Sequence, residues 1–178
     1  QVIAIKALVK NNRETAFNLL INLLPNQTQN TSGTHKPKWR KVIPDDYEKG
    51  VSQKQFFEVS YEISKLLVGS YGRDLKVIPE LVKHLDHLMP DVLSEFLVTL
   101  NEALLEQADE IKRPIWEEVT HLITRHRKFP DAGWSLKEDK LVEIEEIAKG
   151  IEPKGLIEKG RRLFGSRDYD LFEDIGDW

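Results

Sequence analysis

The chain of 178 residues contains no cysteine. This absence excludes a disulfide framework and any metal site built on thiolates, and it favours a reducing compartment, so we expect a cytoplasmic location. Long apolar runs are also missing, since no stretch approaches the roughly 20 residues that a membrane-spanning helix requires. The net charge of −4 is small and spread along the chain, which argues against the strongly basic surface typical of nucleic-acid-binding proteins.

Sequence signatures of catalysis are equally scarce. The chain contains no Gly-x-Ser-x-Gly elbow, Walker loop or dinucleotide-binding fingerprint. Paired acids such as Glu117-Glu118 and Glu145-Glu146 are adjacent on predicted helices, where neighbouring side chains diverge by about 100° and cannot converge on one substrate. We therefore predict that this segment is not an enzyme and holds no cofactor.

Two histidines three residues apart, His84 and His87, come closest to a metal-binding pattern. This spacing can place both imidazoles on one face of a helix. A third ligand is missing, because Asp86 lies off that face and His121 and His126 are far along the chain. The sequence therefore favours a polar helix surface at this point, and we predict no metal site.

Apolar residues recur with a period near 3.6 along most of the chain, which indicates helices throughout. Short connections between them predict an all-α fold, either an irregular α-solenoid or a helical bundle of antiparallel helix pairs. The predicted helices cover residues 2–10, 13–24, 52 to about 70, 74–88, 91–108, a stretch from Pro114, 135–150 and 155–164. Asn12 and Asp91 are predicted N-caps, and Ser52 to Gln55 and Ser135 to Glu138 are predicted capping boxes. We expect the helix at 13–24 to be buried on most of its circumference. The helix that begins at Ser52 is predicted to bury Phe56, Val59, Ile63, Leu66 and Leu67, and the helix at 91–108 to bury Val92, Phe96, Leu100 and Leu104.

The ends of the chain suggest that it belongs to something longer. It opens at Gln1, already inside an amphipathic pattern, so we expect a fragment of a larger protein. We assign residues 1–165 to one helical, repeat-like domain. Residues 166–178 form an acidic, aromatic tail that we expect to continue into a further region.

A long polar loop, at about residues 25–50, carries the most concentrated feature of the sequence. Loops of this length are uncommon in compact domains unless they are functional or poorly ordered. Basic residues surround a tryptophan here, and such a strip can contact a protein partner or follow phosphates while stacking a base. Trp134 is a second candidate. The predicted partner-binding residues are Lys36, Lys38, Trp39, Arg40, Lys41 and Trp134.

Several strings that occur in a fixed order carry a family resemblance. They are residues 12–20 (NRETAFNLL), 23–25 (LLP), 34–40 (THKPKWR), 126–136 (HRKFPDAGWSL), 151–153 (IEP) and 162–164 (RLF). Together they resemble the helical C-terminal region of large bacterial STAND-type signalling NTPases, including those of antiviral defence. The resemblance implies a helical repeat region that senses a ligand, commonly a foreign protein, and relays binding to an upstream ATPase. It transfers no catalytic residue to this segment.

Three hypotheses follow from the sequence. The first is a non-catalytic protein-interaction or ligand-sensing helical module of a larger bacterial signalling or defence ATPase, which contacts a protein partner or other domains of its own chain. The second is a nucleic-acid-contacting module that uses the basic loop at residues 35–41. The third is a structural helical spacer that binds nothing outside its own protein.

Overall fold

The computed structural model describes residues 2–25 and 52–154, and within these ranges every regular element is a helix. The predicted all-α fold is confirmed as a helical bundle. The described residues do not include the predicted partner-binding residues Lys36, Lys38, Trp39, Arg40 and Lys41, the helix predicted at 155–164 or the tail. The helices are α1 (Val2–Asn11), α2 (Arg13–Asn22), α3 (Gln53–Tyr71), α4 (Ile78–Val82), α5 (Pro90–Leu104), α6 (Asp109–Lys128) and α7 (Glu138–Ile151), with a 3₁₀ helix at Leu85–His87.

Local signals at two helix starts act as the sequence predicts. The Asn12 side chain accepts a hydrogen bond from the Thr15 amide at 3.1 Å and so begins α2. Ser52 and Gln55 form a complete capping box at the start of α3, with the serine side chain accepting from the Gln55 amide and the glutamine accepting from the Ser52 amide. Both caps satisfy backbone donors that the first helical turn leaves without partners.

The pairs α2–α3 and α6–α7 pack antiparallel, whereas α3 runs parallel to α5 and α4 runs parallel to α6. The start of α2 lies at the end of α3, where Arg13 Nη2 donates to the Ser70 carbonyl at 3.0 Å. Likewise Arg127, near the end of α6, bonds Glu138 and Glu145 of α7. Parallel contacts join α3 to α5 and α4 to α6. The bundle therefore also joins helices that are not neighbours in sequence.

One continuous apolar core links all of the helices from α2 onward. The inner face predicted for α5 is confirmed, because its residues at helical spacing are fully buried. Phe96, Leu97, Leu100 and Leu104 are at most 1% exposed. Phe17 of α2 packs edge to face against Tyr71 of α3, with ring centroids 5.2 Å apart, and so joins these two helices within the core.

The predicted single helix at residues 74–88 is wrong, since the structure divides it into α4 and the 3₁₀ helix. The amides of His84, His87 and Leu88 bond carbonyls three residues back, as in a 3₁₀ geometry. This tighter winding places the side chain of Asp86, which is 4% exposed, against α6. The break therefore serves a contact between two elements that are far apart in sequence.

Three other helices begin at residues that differ from the predicted ones. Helix α5 begins at Pro90, so Asp91 lies inside its first turn and is not the cap. Helix α6 begins at Asp109, and Pro114 lies inside it and does not start it. Helix α7 begins at Glu138 after Lys137 without a side-chain cap, so the predicted capping box at Ser135 does not form.

Two glycines at the end of α3 provide a test of local packing. A Cβ on Gly72 would lie 2.6 Å from the Val68 carbonyl oxygen and 3.3 Å from Cδ2 of Phe96, whereas a Cβ on Gly69 meets no heavy atom within 4 Å. We expect Gly72→Ala to lower the free energy of unfolding by about 1–3 kcal/mol because backbone must move. Gly69→Ala should raise it by about 0.5–1 kcal/mol because alanine favours the helix. Urea denaturation followed by circular dichroism measures both, and equal stability of the two variants would contradict the contact at Gly72.

Candidate functional site

Trp134 is the one predicted partner-binding residue that the described part of the chain includes, and it lies in the loop between α6 and α7. Its ring packs edge to face against His126, with centroids 5.2 Å apart, and against Phe129 at 6.0 Å. The guanidinium of Arg125 lies 5.5 Å from the Trp134 ring centroid, within the range of a cation–π contact. Trp134 is partly buried and anchors the loop to the end of α6.

His126 is the polar residue around which this loop is organised, and it is fully buried. Its Nδ1 accepts a hydrogen bond from the Leu136 amide at 3.1 Å, so the neutral ring carries its proton on Nε2. Nε2 faces Oδ2 of Asp86 at 3.7 Å. Burial lowers the pKa of His126 below its ordinary value, and the opposing effect of the Asp86 charge is smaller. The imidazole is therefore held neutral between the loop and the 3₁₀ helix.

Asp86 joins the 3₁₀ helix to α6 through an ion pair with Arg125. The Arg125 Nη2 atom donates to Asp86 Oδ2 at 2.7 Å. The Asp86 side chain is only 4% exposed, while that of Arg125 is 41% exposed, so the arginine forms the solvent-facing side of the ion pair. Charge-assisted hydrogen bonds of this length are among the stronger polar contacts in proteins.

A serine, a histidine and an aspartate lie in a row here, as in a hydrolytic triad: Ser135, His126 and Asp86. Their contacts hold the loop in place and do not form a catalytic site. Ser135 Oγ lies 3.3 Å from His126 Nδ1, which already accepts the Leu136 amide. The ring is 0% exposed, so no substrate can reach it. A catalytic base must contact both its nucleophile and the substrate's reacting group. The contacts therefore explain how the loop is held, and they supply no nucleophile.

His84 and His87 lie beside this cluster, at the junction of α4 and the 3₁₀ helix. Their ring centroids are 5.6 Å apart, and His84 Nε2 lies 3.6 Å from Glu80 Oε1. Glu80 also accepts from Lys83 at 2.8 Å, and this hydrogen bond lowers the pKa of Glu80. Residues 2–25 and 52–154 contain no group of three or more side chains arranged to hold a metal ion.

The first two turns of α3 form an exposed apolar surface, which we call the α3 patch and define as Phe56, Phe57 and Val59. Their exposed fractions are 49%, 55% and 45%. The sequence prediction that Phe56 and Val59 are buried is wrong. Helix α3 has 19 residues and packs antiparallel to α2, which has 10, so the start of α3 extends past the end of α2.

Polar groups surround the α3 patch. Lys54 and Glu58 form an exposed ion pair at 3.8 Å, and Lys65 lies over the ring of Tyr61 at 5.7 Å. Leu19 and Leu23 of α2 are also exposed, which corrects the prediction that α2 is buried on most of its circumference. An apolar centre with a polar rim is the usual composition of a protein-binding surface.

An open cleft of about 470 Å³ lies at the opposite end of α3. Residues of α2, α3 and α5 and the turn after α3 line it: Arg13, Val68, Gly69, Ser70, Arg73, Asp74, Glu95 and Thr99. Three of its charged groups are engaged in ion pairs, since Arg13 contacts Asp74 at 3.5 Å and Arg73 contacts Glu102 at 3.0 Å. The cleft mixes both signs of charge and selects no single ligand class.

Comparisons with protein-family models, with curated proteins and with solved structures find no match for this chain. None of the helices in the described ranges is both long enough and apolar enough to cross a membrane.

Proposed function

We propose that this segment is a non-catalytic protein-interaction or ligand-sensing module of a larger bacterial signalling ATPase, of the kind that acts in antiviral defence. The strings that resemble STAND-type NTPases support the family, and the α3 patch supports the mode of action. The observation that carries the proposal is that two phenylalanines and a valine in the first two turns of α3 are each about half exposed.

The physical reason is the cost of leaving such side chains in water. Burying apolar area contributes about 25 cal/mol per Å², so covering the exposed half of a phenylalanine supplies about 1–2 kcal/mol. Phe56 and Phe57 also contact each other edge to face at 5.8 Å, so the two rings present one joint surface. Aromatic side chains of this kind often dominate binding energy at interfaces.

A photo-crosslinking amino acid at position 57 of the full-length protein tests the proposal in its native cells. We expect a discrete crosslinked protein that the same amino acid at Glu117, an exposed position on α6, does not capture. With that protein purified, Phe57→Asp should weaken its binding at least tenfold because a charge replaces the apolar contact. Val142→Asp, at a similarly exposed valine of α7, is the matched control and should bind like the wild type.

The signalling part of the proposal has its own measurement. Adding the captured protein should raise ATP hydrolysis by the full-length wild-type protein and leave the Phe57→Asp variant at its basal rate. Absence of any crosslink from positions 56, 57 and 59 would contradict the interaction module. A captured partner that leaves ATP hydrolysis unchanged would contradict the signalling role and leave the interaction intact.

A further inference from the structure

The outward face of α5, together with Leu105 directly after its last residue, carries a stripe of exposed residues, which we call the α5 stripe. Its members are Asp91, Glu95, Val98, Glu102 and Leu105, and all five are exposed. Their separations of 4, 3, 4 and 3 residues, which follow from the sequence numbers, are the spacing of a coiled-coil seam. At 1.5 Å per residue the stripe is about 21 Å long. It is separate from the face of α5 that packs in the core.

Val98 and Leu105 are the two most exposed of the large apolar residues in the described ranges, at 58% and 66%. They lie seven residues apart, so they point in nearly the same direction. A helix that already buries one full apolar face does not need these two side chains for its own packing. Their position favours a second helix lying along α5.

The charge of this region has one sign. Residues 84–111 contain no lysine or arginine, and their acids include all three carboxylates of the α5 stripe. Arg73 pairs with Glu102 at 3.0 Å, and Lys112 donates to the Leu105 carbonyl at 3.4 Å. Asp91 and Glu95 form no ion pair with any residue of the described ranges. The stripe therefore presents two carboxylates before Val98 and a third, already paired with Arg73, between Val98 and Leu105.

We propose that the α5 stripe binds a basic amphipathic helix of a protein partner. The partner's aliphatic side chains, seven residues apart, pack on Val98 and Leu105, and its lysines or arginines face Asp91, Glu95 and Glu102. Charge complementarity selects this occupant, because a second copy of the same stripe or a nucleic acid would bring like charges together. The inference deepens the proposed interaction module and rests on it, but it concerns a different surface from the α3 patch.

Two synthetic helical peptides test the charge requirement directly. Both have 21 residues with leucine at the seam positions, one with lysine and one with glutamate on the flanking positions. We expect the 178-residue chain to bind the lysine peptide, as measured by fluorescence anisotropy, with an affinity that falls as salt increases. The glutamate peptide should bind at least tenfold more weakly.

Variants of the chain separate a specific surface from general charge attraction. Val98→Ser with Leu105→Ser removes the apolar pair, and Glu95→Lys with Glu102→Lys reverses the charge. Each double variant should weaken binding of the lysine peptide at least tenfold. Glu117→Lys with Glu146→Lys changes the net charge by the same +4 at exposed positions on α6 and α7 and should bind within twofold of the wild type. Thermal unfolding by circular dichroism confirms that each variant is folded.

Three results would overturn the inference. They are no binding of the lysine peptide, an unchanged affinity without the apolar pair, or an equal loss in the charge-matched control. A peptide of residues 34–42 serves as a competitor, and displacement of the lysine peptide by it at equal concentration is a fourth result that would overturn the inference, because it would assign the stripe to the chain's own basic segment. A crosslink from position 57 with no effect of the α5 variants would reject this inference alone and leave the proposed function standing.

Discussion

Replacing Phe96 by alanine is expected to lower the free energy of unfolding by about 3–5 kcal/mol, because the change removes a large buried side chain and leaves a cavity. Phe96 is 0% exposed at the centre of the apolar core. Its ring approaches the backbone at Gly72, where an added Cβ would lie 3.3 Å from Cδ2, so the neighbouring chain has little freedom to fill the space. A loss of this size is a large fraction of the stability of an ordinary domain.

Val98→Ala on the same helix is the control for this prediction. Val98 is 58% exposed, so its truncation should change the free energy of unfolding by no more than about 0.5 kcal/mol. Urea denaturation of both variants measures the two free energies of unfolding, and equal slopes of the two curves make the values comparable. Similar losses at the two positions would mean that the two faces of α5 are wrongly assigned as buried and exposed.

The fold class and several helix ends could be predicted from the sequence because their causes are local. Asn12 and Ser52 each cap the helix that directly follows them, because each side chain accepts from the backbone amide three residues later. The apolar period of α5 directly gives the buried face that contains Phe96. Such signals need no knowledge of the remaining chain, so a single sequence carries them completely.

The errors arise where a distant contact decides the local structure. Asp86 contacts Arg125, 39 residues away, and the helix containing Asp86 breaks at that point. Ser135 matches the capping-box pattern with Glu138, yet its hydroxyl lies against His126 and α7 begins without it. Neither contact leaves a periodic trace in the sequence. Propensity and capping rules are weak when tertiary contacts compete with them.

The sequence also indicated some of the candidate binding residues and not others. Trp134 could be chosen from the sequence because large aromatic residues in loops are conspicuous. The α3 patch was missed, although the proline after α2 and the longer pattern of α3 together indicate helices of unequal length. For the α5 stripe the signal was present as well, in the absence of lysine and arginine from residues 84–111. Whether the basic residues at 36–41 bind a partner stays a prediction.

His126→Ala is expected to lower the free energy of unfolding by about 2–4 kcal/mol at pH 7.5. The change removes a buried ring, its packing against Trp134 and the acceptor of the Leu136 amide. Thr124→Ala, at an exposed position two residues earlier on α6, is the control and should remain within about 0.5 kcal/mol of the wild type. Denaturation in urea measures both, and equal stabilities would contradict the role of the ring.

The dependence on pH distinguishes the neutral, hydrogen-bonded ring from simple loss of volume. Burial lowers the pKa of His126 and of His87 below the ordinary value of 6.5. Just below pH 6.5, both histidines therefore bind protons in the unfolded chain but remain neutral in the folded chain. The contribution of each neutral ring to the free energy of unfolding is complete above pH 6.5, and it is lost as the pH falls toward the lower pKa of the folded state. We therefore expect wild-type stability to decrease between pH 7 and pH 5.

Single variants measured between pH 7 and pH 5 separate the contributions of the two histidines to stability. His126→Ala should show a shallower decrease than the wild type, because only His87 then contributes, while Thr124→Ala should keep the full slope. Protonation at Nδ1 would also place an N–H against the Leu136 amide, so acid should weaken the attachment of the loop at Trp134. Tryptophan fluorescence of the folded protein should then change in the wild type and much less in His126→Ala. Identical pH slopes in the two proteins would show that His126 is not held neutral by its burial.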